Sequence, residues 1–370
     1  MTLSETRTPW PLIAALYLTG LIAGMQFSKI SLTLTALAEA YPGWPVAFAV
    51  SGVAVMGILF GVMAGGITAS IGPRRAILMA LAASAIVGGA EAFLPPFQAF
   101  MALRVIEGAG HLVLVVAVPT LMARLAAPKD RGLVMGLWAT FFGVGFSVAA
   151  LLMGDNLVLA YGGHAVFAGL MFCVLTAMLP RGVVAVRRPL PRLSDHLTIY
   201  ATPRLFAPAL GHGIYAMLFL ALVTFLPLAL GALWLAPILP LAGILGSLLA
   251  GVLIRWFTPG TLVPTTFAAM ALLFSLTLLG GAAAPYVLIL AMLCSGVTAG
   301  AGFAAVPWLN EADDDRALSN GALAQLGNIG TFTGTPVLAA LGSAAYLPVA
   351  IGVCIVAAVV TFLAYRAARS

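Results

Sequence analysis

Charge is what this sequence has least of. Only 8% of its 370 residues are Asp, Glu, Lys or Arg, against roughly 25% in soluble domains. A soluble globule of this length is excluded, because it could not clothe its surface. Hydrophobic residues make up 62% of the chain and recur from Trp10 to Tyr365, so a single span anchoring a soluble domain is excluded as well. Cysteine is scarce. The three present, Cys173, Cys294 and Cys354, lie far apart in apolar segments without metal-ligand spacing, and read as small packing residues. No cofactor or metal is expected. The first apolar run, Trp10 to about Leu37, exceeds the roughly 7–15 residues of a signal-peptide core and lacks a small-residue cleavage pattern, so it reads as a retained helix.

What is present is a succession of apolar segments, each near the ~20 residues that cross a bilayer as a helix. They predict twelve spans, at 10–37, 46–70, 76–93, 98–123, 132–154, 164–180, 205–230, 235–257, 261–281, 285–308, 319–341 and 345–366. The expected fold is an all-α polytopic membrane protein. Two six-helix halves, 1–180 and 205–370, flank an Arg- and Pro-rich linker, 181–204, that carries Asp195 and His196.

Basic residues set the orientation. Of 17 Lys and Arg, only Lys29 and Arg104 fall well inside predicted spans, Arg255 and Arg366 lying at span ends. The other fifteen lie at a terminus or at an even-to-odd connection, whereas the odd-to-even connections carry Glu39, Glu91 and Asp155 but no Lys or Arg. By the positive-inside rule, both termini and the linker are expected on the cytoplasmic side of an inner membrane. The net charge of +6 therefore reflects topology, and no nucleic-acid partner is expected.

The chain also repeats itself. Asp130-Arg131 is followed by Gly136 and Gly145, and Asp315-Arg316 by Gly321 and Gly330, at the same offsets and 185 positions apart. Parallel six-helix halves sharing this pattern suggest a duplication, as in transporters that bind solute where repeats meet.

Three stretches together carry a family resemblance. Between spans 2 and 3, Gly65-Gly66-Ile67-Thr68-Ala69-Ser70-Ile71-Gly72-Pro73-Arg74-Arg75 resembles the gating-loop motif of the major facilitator superfamily. Gly65, Gly72, Arg74 and Arg75 match it, while Ala69 and Ser70 replace the acidic and basic residues of its charge latch. Arg104-Val105-Ile106-Glu107-Gly108-Ala109-Gly110 in span 4 is similar to the family's R-x-x-Q/E-G-x-G motif. The repeated Asp-Arg loop is the third stretch. Span 5 departs from the family's proton-coupled exporters: Phe142-Gly143-Val144-Gly145-Phe146-Ser147 contains no Gly-Pro dipeptide. The resemblance covers the whole chain and implies a monomeric secondary transporter in which spans 1, 4, 7 and 10 line a central cavity.

Charged residues inside spans are functional candidates by default. Arg104, Glu107 and His111 stand at i, i+3 and i+7, on one helical face. Arg104 and Glu107 can pair, and Glu107 and His111 are candidates for proton coupling; a self-neutralising pair that packs the helix is the structural alternative. Lys29 sits in the outer half of span 1 at a depth comparable to Arg104. By the resemblance both could face one water-filled site and attract an anion, with Lys29 the more available; otherwise Lys29 snorkels to the interface. In span 7, His212 and Tyr215 are solute-contact candidates or a hydrogen-bonded packing pair. Gln325 and Asn328 read as interhelical amide contacts. The acidic run Glu311, Asp313, Asp314 and Asp315 is expected in a solvated loop pairing Arg316 or Arg131, and Trp10 and Trp44 as interfacial anchors.

A membrane enzyme would need a nucleophile with its base, a metal cluster or paired carboxylates. The sequence offers only the Arg104/Glu107/His111 group, with no acid or histidine on a second helix at clear matching depth. The expected function is secondary transport of a small solute, an organic or inorganic anion, by proton-coupled uptake (symport). The competing reading is proton-driven efflux of a drug or metabolite.

Overall fold

A computed structural model describes residues 7–61, 63–180 and 198–369. Most of the linker, with Arg181, Arg187, Arg188, Arg192, Asp195 and His196, lies outside the described residues. The chain divides into two compact units, Met1–Leu190 and Pro191–Ser370.

In the first unit α1 (Trp10–Leu32) continues into a short α2 (Leu34–Ala40). The second predicted span is broken into α3 (Ala47–Ser51), α4 (Ala54–Phe60) and α5 (Ala64–Ile71), and α6 (Pro73–Glu91) and α7 (Phe97–Leu125) follow. The fifth is α8 (Arg131–Ala139) with α9 (Phe141–Leu152), and a π-helical turn, Val158–Gly163, leads into α10 (His164–Met178). The second unit holds α11 (Pro203–Ala229), α12 (Leu235–Leu253), α13 (Pro259–Leu278), α14 (Ala284–Leu309), α15 (Asp313–Leu341) and α16 (Tyr346–Ala367).

Among the described residues, eight helices are each long and apolar enough to cross a membrane, and counting each of two bent pairs as one span raises the number to ten. The remaining two expected spans coincide with α6 and α15, which are more polar because they carry Arg74, Arg75 and Glu91, and Asp315, Arg316, Gln325 and Asn328. Each of the twelve expected spans thus meets helix. Apolar side chains such as Ile86, Val166, Leu248 and Val359 are exposed, as lipid-facing positions require. Trp10 and Trp44 are also exposed, near span ends.

Local chemistry explains the breaks. Gly72 has φ 89°, a left-handed conformation that suits glycine; it ends α5, and Pro73 starts α6 with a preset φ. α8 and α9 meet at a 48° bend. There the Thr140 hydroxyl contacts the Leu137 carbonyl and the Tyr17 hydroxyl, both at 2.8 Å, so a side chain competes with the helix ladder.

The internal repeat has a structural counterpart within each unit. A Cβ on Gly145 of α9 would stand 2.8 Å from the Leu21 carbonyl of α1, and one on Gly330 of α15 would collide with the Gly213 carbonyl of α11. Gly145 and Gly330 therefore let the fifth span of each half lie directly on the first, whereas a Cβ on Gly136 would meet nothing within 4 Å. The repeated aspartates match as well. Asp130 accepts a 2.5 Å hydrogen bond from Thr8, just before α1, and Asp315 pairs with Arg204 in the first turn of α11 at 2.7 Å. Within the expected acidic run, Asp315 thus takes Arg204 as its partner, and the side chains of Asp313 and Asp314 lie outside the described residues. Arg204 begins the helix that packs beside Asp315, whereas Arg131 and Arg316 donate to the Ala123 and Asn310 carbonyls.

Candidate functional site

α1 is apolar on nearly every side, and residues all round it are buried, from Leu12 to Ser31. Its neighbours include α7, α9 and α10. Lys29 in its last turn is therefore enclosed on all sides and 0% exposed. It does not snorkel. Its Nζ donates to Glu91 Oε2 at 2.6 Å and to Glu107 Oε1 at 2.8 Å. Arg104, one turn before Glu107 on α7, pairs with Glu107 Oε2 through Nη1, and the same nitrogen lies 3.5 Å from Glu91 Oε1. All four side chains are fully buried. Two cations thus face two carboxylates, so the set is neutral when all four are ionised. Enclosed charges survive only with such pairing and further hydrogen bonds. Arg104 obtains these from the Ala49 and Gln26 carbonyls at 2.9 and 2.7 Å.

The sequence reading is corrected in two respects. Lys29 is no more available than Arg104, because two carboxylates hold it. Glu91, expected at a span's water-facing end, is indeed the last residue of α6, yet it is sealed inside the unit. The cause is an aromatic series running inward from the surface. Trp44 stacks on Phe97 at 5.1 Å, Tyr41 packs on Phe97 and Phe100, Phe100 on Tyr161, and the Tyr161 ring lies 5.5 Å from Lys29 Nζ. Tyr41 also donates to the Pro95 carbonyl at 2.5 Å, fixing the connection after α6.

His164 opens α10 and was not anticipated. Its Nδ1 is 3.8 Å from Glu107 Oε1, while Nε2 contacts the Ile22 carbonyl at 3.2 Å. Gly88 makes room for it: a Cβ there would stand 3.3 Å from His164 Nδ1. An acid and a histidine on second and third helices therefore join the α7 pair, contrary to the sequence reading. A charge count could have found Glu91, since two buried cations and one buried acid leave a deficit. Nothing in the helical spacing pointed to His164.

His111 is on the face of α7 shared with Glu107 but belongs to another contact. It is half-buried, its Nδ1 lies 2.9 Å from Gln26 Oε1, and Gln26 Nε2 donates to Ser84. Gln26 is the link: its side chain meets His111 while its carbonyl accepts from Arg104.

Of the gating-loop residues, Gly72 forms the turn and Arg74 donates to the Thr176 and Leu179 carbonyls at the end of α10, satisfying groups that a helix terminus leaves open. Arg75 is exposed, and a Cβ on Gly65 would meet nothing within 4 Å. In the second unit His212 and Tyr215 make a ring contact, 5.5 Å between centroids, in place of a hydrogen bond to each other. Phe303 packs edge-on against His212 at 5.0 Å and Phe219 against Tyr215 at 5.3 Å. Gln325 accepts from Tyr200, while Asn328 bonds within its own helix to Ala324.

This two-unit helical architecture has counterparts of known structure. A D-xylose-proton symporter superposes with a TM-score of 0.74 at 16% identity, covering 96% of this chain and 98% of its own. A bacterial homologue of the human lysosomal transporter Spinster, inward-facing and occupied, gives 0.68 at 16% identity over 96% and 97%. A point mutant of the nucleoside transporter NupG gives 0.78 at 13% identity over 96% and 100%. No curated protein matches the chain in sequence. Residues 16–310 match the family model of the Major Facilitator Superfamily, and with that match spanning most of its length, the chain belongs to this superfamily of membrane transporters.

Proposed function

We propose that the protein takes up a small organic or inorganic anion together with a proton, by alternating access across the inner membrane. The buried, neutral cluster of Lys29, Arg104, Glu91 and Glu107 carries this reading. Packing alone does not call for four charges in an apolar bundle, and intramembrane ionisable groups usually mark solute or proton pathways. A neutral set accepts an anion only if positive charge enters with it, and a proton meets that need. Lys29 and Arg104 act as the anion's partners, and the two carboxylates as the proton's. His212 and Tyr215 are further candidate solute contacts, and the loop with Gly65, Gly72, Arg74 and Arg75 takes part in gating. Both termini lie in the cytoplasm, and the protein works as a monomer.

A second reading has its own support. The neutral cluster attracts no charged solute by itself, and the structurally similar proteins include a xylose symporter and a nucleoside transporter. In that reading the solute is an uncharged polyol or nucleoside, and the cluster handles the proton alone. Proteoliposomes with an alkaline interior separate the two, using labelled gluconate, inorganic phosphate, xylose and uridine, none of which follows a pH gradient across lipid unaided. Accumulation of an anion, abolished by a protonophore, supports symport of anions. Accumulation of xylose or uridine alone establishes the second reading, and accumulation of none refutes both.

A further inference from the structure

The two carboxylates of the cluster are not equivalent. Both oxygens of Glu107 are taken by cationic donors, Oε1 by Lys29 and Oε2 by Arg104. Glu91 uses only Oε2, toward Lys29. Its Oε1 is buried without a hydrogen bond among the described residues, and its nearest cation, Arg104 Nη1, stands off at 3.5 Å. A proton placed on Glu107 must displace a charged donor. One placed on Glu91 Oε1 displaces none. Position points the same way, since Glu91 ends α6 and Phe93, two residues on, is 87% exposed. Glu107 lies about three turns inside α7.

We infer that Glu91 is the proton-carrying carboxylate of this site, and that its neutralisation releases Lys29 to hold the anionic solute. The inference rests on the anion-proton reading above. The groups facing Glu91 are Lys29 from α1, Arg104 and Glu107 from α7, Tyr41 from the connection after α2, Tyr161 from the π-helical turn and His164 from α10. A proton from the aqueous side joins Glu91 Oε1, and the carboxylate becomes a neutral acid. The 2.6 Å contact to Lys29 then loses its ionic character, and the cluster passes from zero to one net positive charge. An enclosed, unbalanced charge is costly, so without solute this proton is taken up only in acid. A solute bearing one negative charge restores neutrality beside Lys29. Proton and monoanion therefore enter together, one for one, and their departure reverses the exchange.

The test is infrared difference spectroscopy on the full chain in detergent, titrated with acid in the absence of any solute. A band of protonated buried carboxyl should appear in the wild type and in Glu107→Gln, and be lost in Glu91→Gln. Because Glu91→Gln leaves an unbalanced charge that can impair folding, the charge-balanced Lys29→Gln/Glu91→Gln protein is measured beside it and should also lack the band. Glu91→Asp should keep the band at a displaced frequency. A band that survives both Glu91→Gln variants, or that is missing from the wild type, overturns the assignment. No solute is present, so failure of the transport reading is distinguishable. A Glu91 band without pH-driven uptake of any anion refutes anion symport and leaves Glu91 as the proton site.

Discussion

Lys29 and Glu107, 78 residues apart on α1 and α7, meet at 2.8 Å with neither side chain exposed. Their contact is shared with Glu91 and Arg104, so no member of the cluster can be neutralised alone without leaving a charge unmatched.

That balance sets the first prediction. Lys29→Gln should destabilise the protein by about 3–5 kcal/mol, the usual loss when one partner of a buried pair is removed. Lys29→Gln/Glu91→Gln should recover most of it. Melting in detergent, followed by intrinsic fluorescence, gives the double-mutant cycle. Purely additive losses would show that the two residues do not interact.

Solute handling at the same lysine gives the second. Lys29→Ala should sharply weaken uptake of an anion, and Lys29→Arg should retain part of it. Normal anion uptake by Lys29→Gln at wild-type expression would remove Lys29 from the solute site.

The third separates His111 from the carboxylates. His111 meets the cluster at Gln26 and touches none of its carboxylates, so His111→Asn should keep pH-driven accumulation, whereas Glu91→Gln should lose it while counterflow persists. Loss of accumulation in His111→Asn with intact counterflow would move the proton pathway to that side of α7.

Topology is the fourth. In a protein cleared of Cys173, Cys294 and Cys354, cysteine at Asp155 should react with an impermeant maleimide added outside. Cysteine at Lys129 should react only after permeabilisation; both positions are exposed. Labelling of both from one side contradicts the twelve-span arrangement.

A fifth concerns two glycines of different kinds. Gly330→Ala should cost about 1–3 kcal/mol, because the new methyl collides with the Gly213 carbonyl where α15 crosses α11. Gly65→Ala should leave melting unchanged, since nothing lies within 4 Å of its methyl position. A melting loss for Gly65→Ala equal to that for Gly330→Ala would contradict these helix contacts.

The helical fold was largely legible in the sequence, because the bilayer imposes a length on each apolar run and the basic residues mark where runs end. The repeat was legible as well: Gly145 and Gly330 do the same thing in their own halves, and so do Asp130 and Asp315. The cluster was half legible. Arg104 and Glu107 share a helix, and three-residue spacing announces them. The contacts of Lys29 with Glu91 and of Glu107 with His164 join different helices, and the period of one helix carries no information about which neighbour it meets. Glu91 was also disguised by its place at a helix end, where water is the ordinary expectation and where the ring series from Trp44 to Tyr161 excludes it instead.

The π-helical turn at Val158–Gly163 bears on what the chain tolerates. Such a turn accommodates one residue more than an α-helical turn, and both Tyr161 and His164 depend on it for their phase. Removing one residue there would return the segment to α-helical winding with the phase of α10 nearly unchanged, because the bulge uses one extra residue for the same rotation. Rewinding the segment as α-helix at full length would instead turn α10 by about 100°. His164 would then leave the recess at Gly88, although every side chain of the cluster kept its identity. The winding of this one turn thus determines whether α10 presents its histidine to the charges, and substitutions that favour plain α-helix here should be less tolerated than loss of the extra residue.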